Sequence, residues 1–379
     1  MWSLIPAPPF LRFSFSSMPC KRLILHSAIQ KLWNHPGRAL ALISAAYGVV
    51  LVALALGFRY MGELNALSSV LIYLPPGLWL LPLTILSAAA ALFHRRLLIV
   101  LLFILGVGLV FTQFRVGFGR RSAVPGEKCV TLVTNNIGQS NHLSMAPFVQ
   151  REKPDFLLIQ DAFGRIAYYK RTYPACFVAA VGEFVLISKF PITSATIVPE
   201  SIWAKRTPAA ALFRVQWPVH PLSVYGVHIP TPRPDFALLR GHGFLVELLR
   251  GRIWQRYAGY REAMRQRVSL AERLSKTIAS DPNPVLVGGD FNMPGWGYIH
   301  SLFSSRLSDA FEASGSGFGL TFPGATYNPL SLFGPWLRID YAFCNRWWVP
   351  LSCSVEPHRA SQHRAVAATF SFASQENPQ

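Results

Sequence analysis

The sequence predicts an α/β protein, a four-layer sandwich of two mixed β-sheets flanked by helices and preceded by a three-helix transmembrane region. Three observations predict it. Long uncharged apolar stretches are confined to the first third of the chain, and short β-rich runs separated by turns fill the rest from Cys129 onward. The composition is 51% hydrophobic and only 14% charged over 379 residues, whereas roughly a quarter charged is usual for a soluble domain. Part of the chain is therefore expected in lipid.

The apolar stretches run from Ala39 to Phe58, Leu67 to Phe93 and Leu97 to Phe111. A bilayer core needs about 20 apolar residues in a helix, so the first two are long enough and the third is short. Pro75 and Pro76 would kink the second or divide it into an interfacial and a spanning part, which lipid tolerates when neighbouring helices satisfy the freed carbonyls. A small bundle follows. Lys21, Arg22, Lys31 and Arg38 precede the first span, Arg59 alone follows it, and Arg95 and Arg96 occupy the turn between the second and third. Basic residues mark the cytoplasmic side. This gives a basic cytoplasmic segment over residues 1–38, a transmembrane region over 39–112, and an extracytoplasmic placement for everything beyond. Arg115, Arg120 and Arg121 oppose that placement, but long domains translocate largely regardless of such charge. Met1 to Cys20 lacks the charged-then-apolar order of a cleaved signal, so the first span reads as an uncleaved anchor in the cell membrane.

The net charge of +18 divides into about +9 for residues 1–127 and about +9 for the remainder. It favours anionic partners (lipid headgroups, phosphorylated metabolites or nucleic acid) without choosing among them. The five cysteines form no CxxC pair and no Cys/His cluster, which excludes the usual structural zinc spacings. Cys344 and Cys353 read as small core residues, with a disulfide as the alternative.

After a linker at 113–128, a folded domain is expected over 129–373, with a short tail at 374–379. Val130 to Thr134, Phe156 to Ile159, Phe184 to Ser188, Ala210 to Val215, Leu222 to Val227, Val285 to Val287, Ile339 to Phe343 and Ala365 to Phe372 read as strands. Arg261 to Ala279 reads as an amphipathic helix ended by Asp281-Pro282. Many strands with few helices between them imply two packed sheets with helices outside. The segment from Phe236 to Tyr260 mixes apolar and basic residues; it suits a membrane surface or a domain helix with a solvated basic face equally well.

Several strands end in one kind of chemistry: Thr134-Asn135-Asn136-Ile137, Ile159-Gln160-Asp161, Gly226-Val227-His228, Gly288-Gly289-Asp290-Phe291-Asn292, Arg338-Ile339-Asp340-Tyr341 and Ser361-Gln362-His363-Arg364. Singly, Asn136 could be a turn residue and His228 a surface histidine. Together, carboxylates, amides and two histidines supply oxygen ligands for a hard divalent cation and imidazoles for proton transfer. The set suits Mg²⁺-assisted attack of water on phosphorus.

These segments, in this order, resemble the endonuclease/exonuclease/phosphatase superfamily, most specifically at Gly289-Asp290-Phe291-Asn292-Met293-Pro294 and Arg338-Ile339-Asp340-Tyr341. The preceding spans resemble a bacterial membrane subgroup of it. The resemblance implies a phosphoesterase using Mg²⁺ or Mn²⁺ on a phosphorylated substrate, lipid-linked or otherwise, with nucleic acid the weaker option. It implies metal ligands at Asn136, Asp161 and Gln362. Asp290 would orient or deprotonate the attacking water, Asn292 would hold the phosphate, and His228 would stabilise phosphoryl charge or assist the leaving group. Asp340 would orient His363 as base or phosphate ligand. Two residues depart from the pattern: Asp161 stands where the family has Glu, and Gln362 where it has Asp, so metal affinity should fall, and a non-catalytic phosphate-binding membrane protein is the alternative to an enzyme.

Overall fold

Apolar sequence comes first and folds into helices. In the computed structural model, residues 36–111, 127–138, 144–203, 207–232, 250, 253–325, 331–332, 334–359 and 361–373 are described. Lys21, Arg22, Lys31, the linker arginines and most of the Phe236 to Tyr260 segment lie outside them. Helix α1 (Pro36–Leu56) continues through a π turn (Gly57–Met61) and a 3-10 turn (Gly62–Leu64). Asn65 then caps the short α2 (Ala66–Leu71), its side chain accepting the N–H groups of Leu67 and Ser68. Pro75 and Pro76 divide the second apolar stretch, because proline lacks an N–H and bars its predecessor from helical torsions. Helices α3 (Gly77–Phe93) and α4 (Arg95–Phe111) follow.

The run Pro36–Leu64 is long and apolar enough to cross a bilayer. Helices α3 and α4 have 17 residues each, about 25 Å at 1.5 Å per residue, short of the ~30 Å hydrocarbon core. Of the three expected spans, then, one meets the length by itself. The helices bury Leu83, Ala90 and Leu101 among themselves and expose Leu42, Val49, Ile85, Leu92, Ile99 and Phe103. An apolar exterior on that scale calls for a covering medium.

The domain is a pair of six-stranded sheets. The first contains β1 (Cys129–Asn136), β2 (Phe156–Gln160), β3 (Phe177–Val181) and β4 (Phe184–Ser188), joined by β11 (Trp348–Val355) and β12 (Val366–Phe372), in the order β11-β12-β1-β2-β4-β3. The second contains β5 (Ile192–Ile197), β6 (Ala210–Gln216), β7 (Pro221–His228), β8 (Val285–Asp290), β9 (Ser308–Asp309) and β10 (Asp340–Cys344), in the order β5-β6-β7-β8-β10-β9. Within each sheet one pair is parallel, β1 with β2 and β7 with β8, and the others are antiparallel. Both sheets are therefore mixed, as expected.

Leu132, Leu158 and Leu186 of the first sheet meet Phe213, Val224 and Leu286 of the second in a shared core. Helices α5 (Ala146–Glu152) and α6 (Ile166–Thr172) cover the outer face of the first sheet through Phe148 and Tyr169. The long α7 (Ile253–Ala279) and α8 (Tyr298–Ser304) cover the second through Val268, Leu274 and Phe303. A short α9 (Ala310–Ser314) follows β9. Four layers result. The expected helix begins at Ile253 rather than Arg261, and β3, β5, β9 and β11 are additions to the expected strands. All four lie on sheet edges, where a half-solvated strand lacks a continuous apolar run, and β11 carries Pro350 at a register shift. Cys344 and Cys353 are buried free thiols in the core, not joined by a disulfide.

Glycine sets how closely the sheets approach near one end. A Cβ on Gly288 would sit 2.9 Å from the Thr134 Cβ, and one on Gly226 would sit 2.9 Å from the Phe184 ring. Gly289 is tighter still: its φ is +149° and a Cβ there would fall 1.8 Å from the Val227 carbonyl oxygen. Replacing Gly289 by Ala is expected to destabilise the domain by more than about 3 kcal/mol. Thermal melting of the full chain checks this, and an unchanged melting temperature would contradict it.

Candidate active site

Strand direction gathers the polar ends. The parallel pairs β1/β2 and β7/β8 finish at the same edge of the sandwich, and β10 and β12, running the other way, begin there. Register then aligns the residues. His228 pairs with Asp290 across β7 and β8, and Asp290 pairs with Asp340 across β8 and β10, so the three stand in one row of the second sheet. Asn136, Asp161 and Gln362 lie at or just beyond the matching ends of β1, β2 and β12, three neighbours of the first sheet. Two rows face each other across the gap that the glycines keep narrow.

Asp290 is the centre of the network. Its Oδ1 accepts the backbone N–H of Asn292 at 2.8 Å, and its Oδ2 accepts Asn136 Nδ2 at 3.0 Å and Asn292 Nδ2 at 3.1 Å. His228 Nε2 and His363 Nε2 each lie 3.7 Å from the same Oδ2. Asn292 adopts a left-handed φ of +48° and gives its second amide hydrogen to Ile229 O at 2.9 Å. Both Nδ2 hydrogens are thus committed, so holding a phosphate would require Asn292 to exchange one of them.

Each imidazole is backed by a carboxylate. His363 Nδ1 donates to Asp340 at 3.0 Å, and His228 Nδ1 donates to Glu183 at 2.8 Å. Burial alone would lower the His228 pKa, but the hydrogen bond and charge of Glu183, with Asp290 and Asp161 behind it, overcome this and raise it to about 9. His363 is likewise raised against the effect of burial by the charges of Asp340 and Asp290. Burial and the charge of Asp290 push Asp340 up, against the pull of His363. The His228 ring therefore favours the protonated form near neutrality, and the His363 ring is shifted in the same direction.

Glu183 escapes a reading of the sequence. It sits in the tight turn between β3 and β4, after Gly182 at φ +60°, with no motif around it. Its only signal is a lone acidic residue before the buried run Phe184–Ser188. Arg338 has a structural part: its guanidinium bonds both Asp309 oxygens at 3.0 and 2.8 Å and lies over the Tyr341 ring. That pairing joins β9 to the start of β10, where Asp340 stands.

The donor chemistry fits a divalent cation. Among the described residues Asn136 Oδ1 accepts Gly138 N–H alone, at 2.9 Å, leaving a lone pair. Asp161 holds a half-exposed carboxylate on a left-handed backbone of φ +60°, and the half-buried Gln362 amide oxygen lies against Gly138. Among the described residues Asp290, Asp340 and His363 also bring ligand atoms within 4.8 Å of one another, as do His300, Asp309 and Glu312. The first group is already engaged in the hydrogen bonds above; in the second, Asp309 and Glu312 are paired with Arg338, and His300 with Asp309.

A model of the endonuclease/exonuclease/phosphatase family matches residues 136–363, more than half of the chain. The chain belongs to the endonuclease/exonuclease/phosphatase family. Solved structures similar to it include a humanized D. rerio TDP2 with 14 mutations, at 13% identity and TM-score 0.46 over 64% of this chain and 98% of that one. Another is a 3′ phosphatase NExo from Neisseria bound to product DNA hairpin, at 14% identity and TM-score 0.44 over 65% of this chain and 100% of that one. The human Nocturnin catalytic domain with a bound sulfate anion matches at 13% identity and TM-score 0.42, over 68% of this chain and 100% of that one. No curated protein matches the chain.

The Glu183–His228 pair carries a pH signature. Because its folded pKa is raised to about 9, the pair stabilises fully below the unfolded pKa of about 6.5 and loses that contribution as pH rises through its folded value. With the ring one-fifth exposed, water screening leaves an expected contribution of about 1–2 kcal/mol. Glu183→Gln is expected to lower the melting temperature of metal-free protein at pH 6 and to have little effect at pH 10. Equal losses at both pH values would contradict the pairing.

Proposed function

We propose that this member of the endonuclease/exonuclease/phosphatase family is a membrane-anchored phosphoesterase that hydrolyses a phosphate ester, pyrophosphate or phosphodiester with a divalent cation. The observation that carries the reading is one buried carboxylate, Asp290, flanked by two imidazoles that are each oriented by a second carboxylate. That is proton-transfer machinery arranged around the place where a phosphorus centre and a water would meet.

Asp290 orients or deprotonates the attacking water, since its position is held by three N–H donors and no rotation is needed at the moment of reaction. Asn292 places Asp290. His228, kept protonated by Glu183, donates toward the phosphoryl oxygens or the leaving group. Asp340 holds His363 with its Nε2 toward Asp290, from where the ring binds a phosphoryl oxygen or exchanges a proton with the water. Asn136, Asp161 and Gln362 would hold Mg²⁺ or Mn²⁺, which when bound withdraws charge from the phosphoryl oxygens. A single carboxylate among those three ligands accords with weak affinity.

The membrane arrangement supported best is three crossings. Gly37 lies against the His94 ring and Gly108 against Leu80, so neighbouring helices run antiparallel. The start of α1 and the α3–α4 turn then share one end, where Arg38, Arg95 and Arg96 cluster. The 57–76 segment and the domain share the other, which the basic residues make the outer side.

Asp290→Asn and His363→Ala should each lower turnover of bis(p-nitrophenyl) phosphate or p-nitrophenyl phosphate by about 10²- to 10⁴-fold at a temperature where melting shows the domain still folded. Asp161→Glu combined with Gln362→Asp should raise activity or lower the Mg²⁺ requirement. Activity that survives loss of Asp290 would remove that residue from the mechanism, and no turnover in the wild-type chain or any variant would sink the enzyme reading. For the membrane arrangement, a reporter fused after Phe372 is expected to respond as extracytoplasmic; a cytoplasmic response would reverse it.

A further inference from the structure

The segment joining α1 to α3 packs into the domain beside the active site. Ile72 O accepts the Trp296 indole N–H at 3.2 Å, and Glu63 Oε2 accepts the Ile299 backbone N–H at 3.1 Å. Ser69 Oγ and Tyr260 OH are 2.6 Å apart, and Gly62 lies so close to Tyr298 that a Cβ would fall 2.6 Å from its nitrogen. Glu63 and Arg267 are almost fully buried, and their charges act on each other and on Tyr73. A buried acid and a buried base at a junction between an apolar hairpin and a soluble domain are costly to keep unless the junction stays closed.

One contact reaches the site. Tyr73 OH donates to the backbone carbonyl of Asn292 at 2.8 Å, and Arg267 Nη2 donates to the same oxygen at 2.9 Å. Asn292 is the residue whose N–H and amide both hold Asp290, and its left-handed backbone is one that a side-chain-bearing residue adopts only when its surroundings over-determine it. Its own side chain secures one face of that turn, and the two donors on its carbonyl secure the other. Within the sandwich the loop from Phe291 to Gly297 is held by the end of β8, by Asn292 Nδ2 on Ile229 O, and by Tyr341 OH, which donates to Met293 O at 2.8 Å; a further anchor, the one on the Asn292 carbonyl, comes from outside the sheets, through Arg267 of α7 and Tyr73 of the hairpin.

We propose that Tyr73 and Arg267 are positioning residues of the hydrolytic site, so that the segment between the first two apolar helices is a working part of the active site and not a tether alone. This rests on the phosphoesterase reading above. Loss of the Tyr73 hydroxyl frees one side of the Asn292 carbonyl, lets the turn relax and displaces Asp290 from the water it must hold. A displacement of that kind lowers kcat and leaves substrate binding nearly untouched.

The test uses the full chain in lipid nanodiscs, with kcat and KM for bis(p-nitrophenyl) phosphate beside backbone hydrogen exchange over Phe291–Gly297. Tyr73→Phe is expected to reduce kcat roughly tenfold, the population change that the loss of one hydrogen bond permits. KM should stay within about twofold, and exchange in the loop should quicken. Ser69→Ala, which removes a contact of the same junction without touching Asn292, is expected to leave both readouts at the wild-type level. Unchanged kcat with unchanged exchange in Tyr73→Phe would overturn the proposal, and so would an equal effect of Ser69→Ala, which would mean general loosening. If the wild-type chain turns over no substrate, the phosphoesterase reading fails by itself. Exchange still decides the coupling: quickening confined to Tyr73→Phe supports it and its absence overturns it.

Discussion

A carboxylate buried at the end of β8 must be matched by donors, and much of the domain is arranged to do that. Asp290 is almost wholly removed from water, where an unpaired charge would cost several kcal/mol. Asn136 reaches it from the first sheet, Asn292 doubles back onto it from its own loop, and two imidazoles approach from either side. The rings in turn need Glu183 and Asp340 to hold their protons and orientation. Four strands, a hairpin turn and a loop are thus drawn to one point by the electrostatics of a single group.

The sandwich makes this convergence possible through direction and distance. Parallel β1/β2 and β7/β8 pairs, with antiparallel β10 and β12 beside them, deliver side chains from both sheets to a common edge. Glycines at 226 and 288 then let Thr134, Leu158 and Phe184 close the space between the sheets, which brings Asn136 within hydrogen-bonding reach of Asp290. A larger residue at either glycine would part the two rows just where they meet. The apolar hairpin adds an external constraint, because its connecting segment occupies the outside of the Phe291–Gly297 loop.

What was legible in the sequence followed from local regularity. Val285-Leu286-Val287 before Gly-Gly-Asp reads as a buried strand ending in a carboxylate, and the same logic located Asn136, His228, Asp340 and His363. Pro75-Pro76 foretold the break between α2 and α3, since the cause of the break is local. Edge strands β3 and β5 were hidden because one side of each faces water and the apolar run is diluted. Glu183 was hidden for another reason: a lone acidic residue in a turn acquires meaning only when β4 carries it opposite His228. Asn292 was expected to hold the phosphate, and what the sequence did not show is that the folded loop gives both of its amide hydrogens to Asp290 and Ile229.

By itself the sequence determined which residues could carry the chemistry, that they stand at strand ends, and that the long uncharged apolar stretches are confined to the first third of the chain. These are properties of periodicity, composition and side-chain type, which short segments express without knowing their partners. Only the tertiary structure decided which groups meet: that Glu183 rather than a motif residue backs His228, that Asp290 is shared by two rings, and that Tyr73 lies on the carbonyl of Asn292. Those pairings join residues dozens to hundreds of positions apart. Register, sheet spacing and the docking of the hairpin create them, and none of the three is written in any one segment.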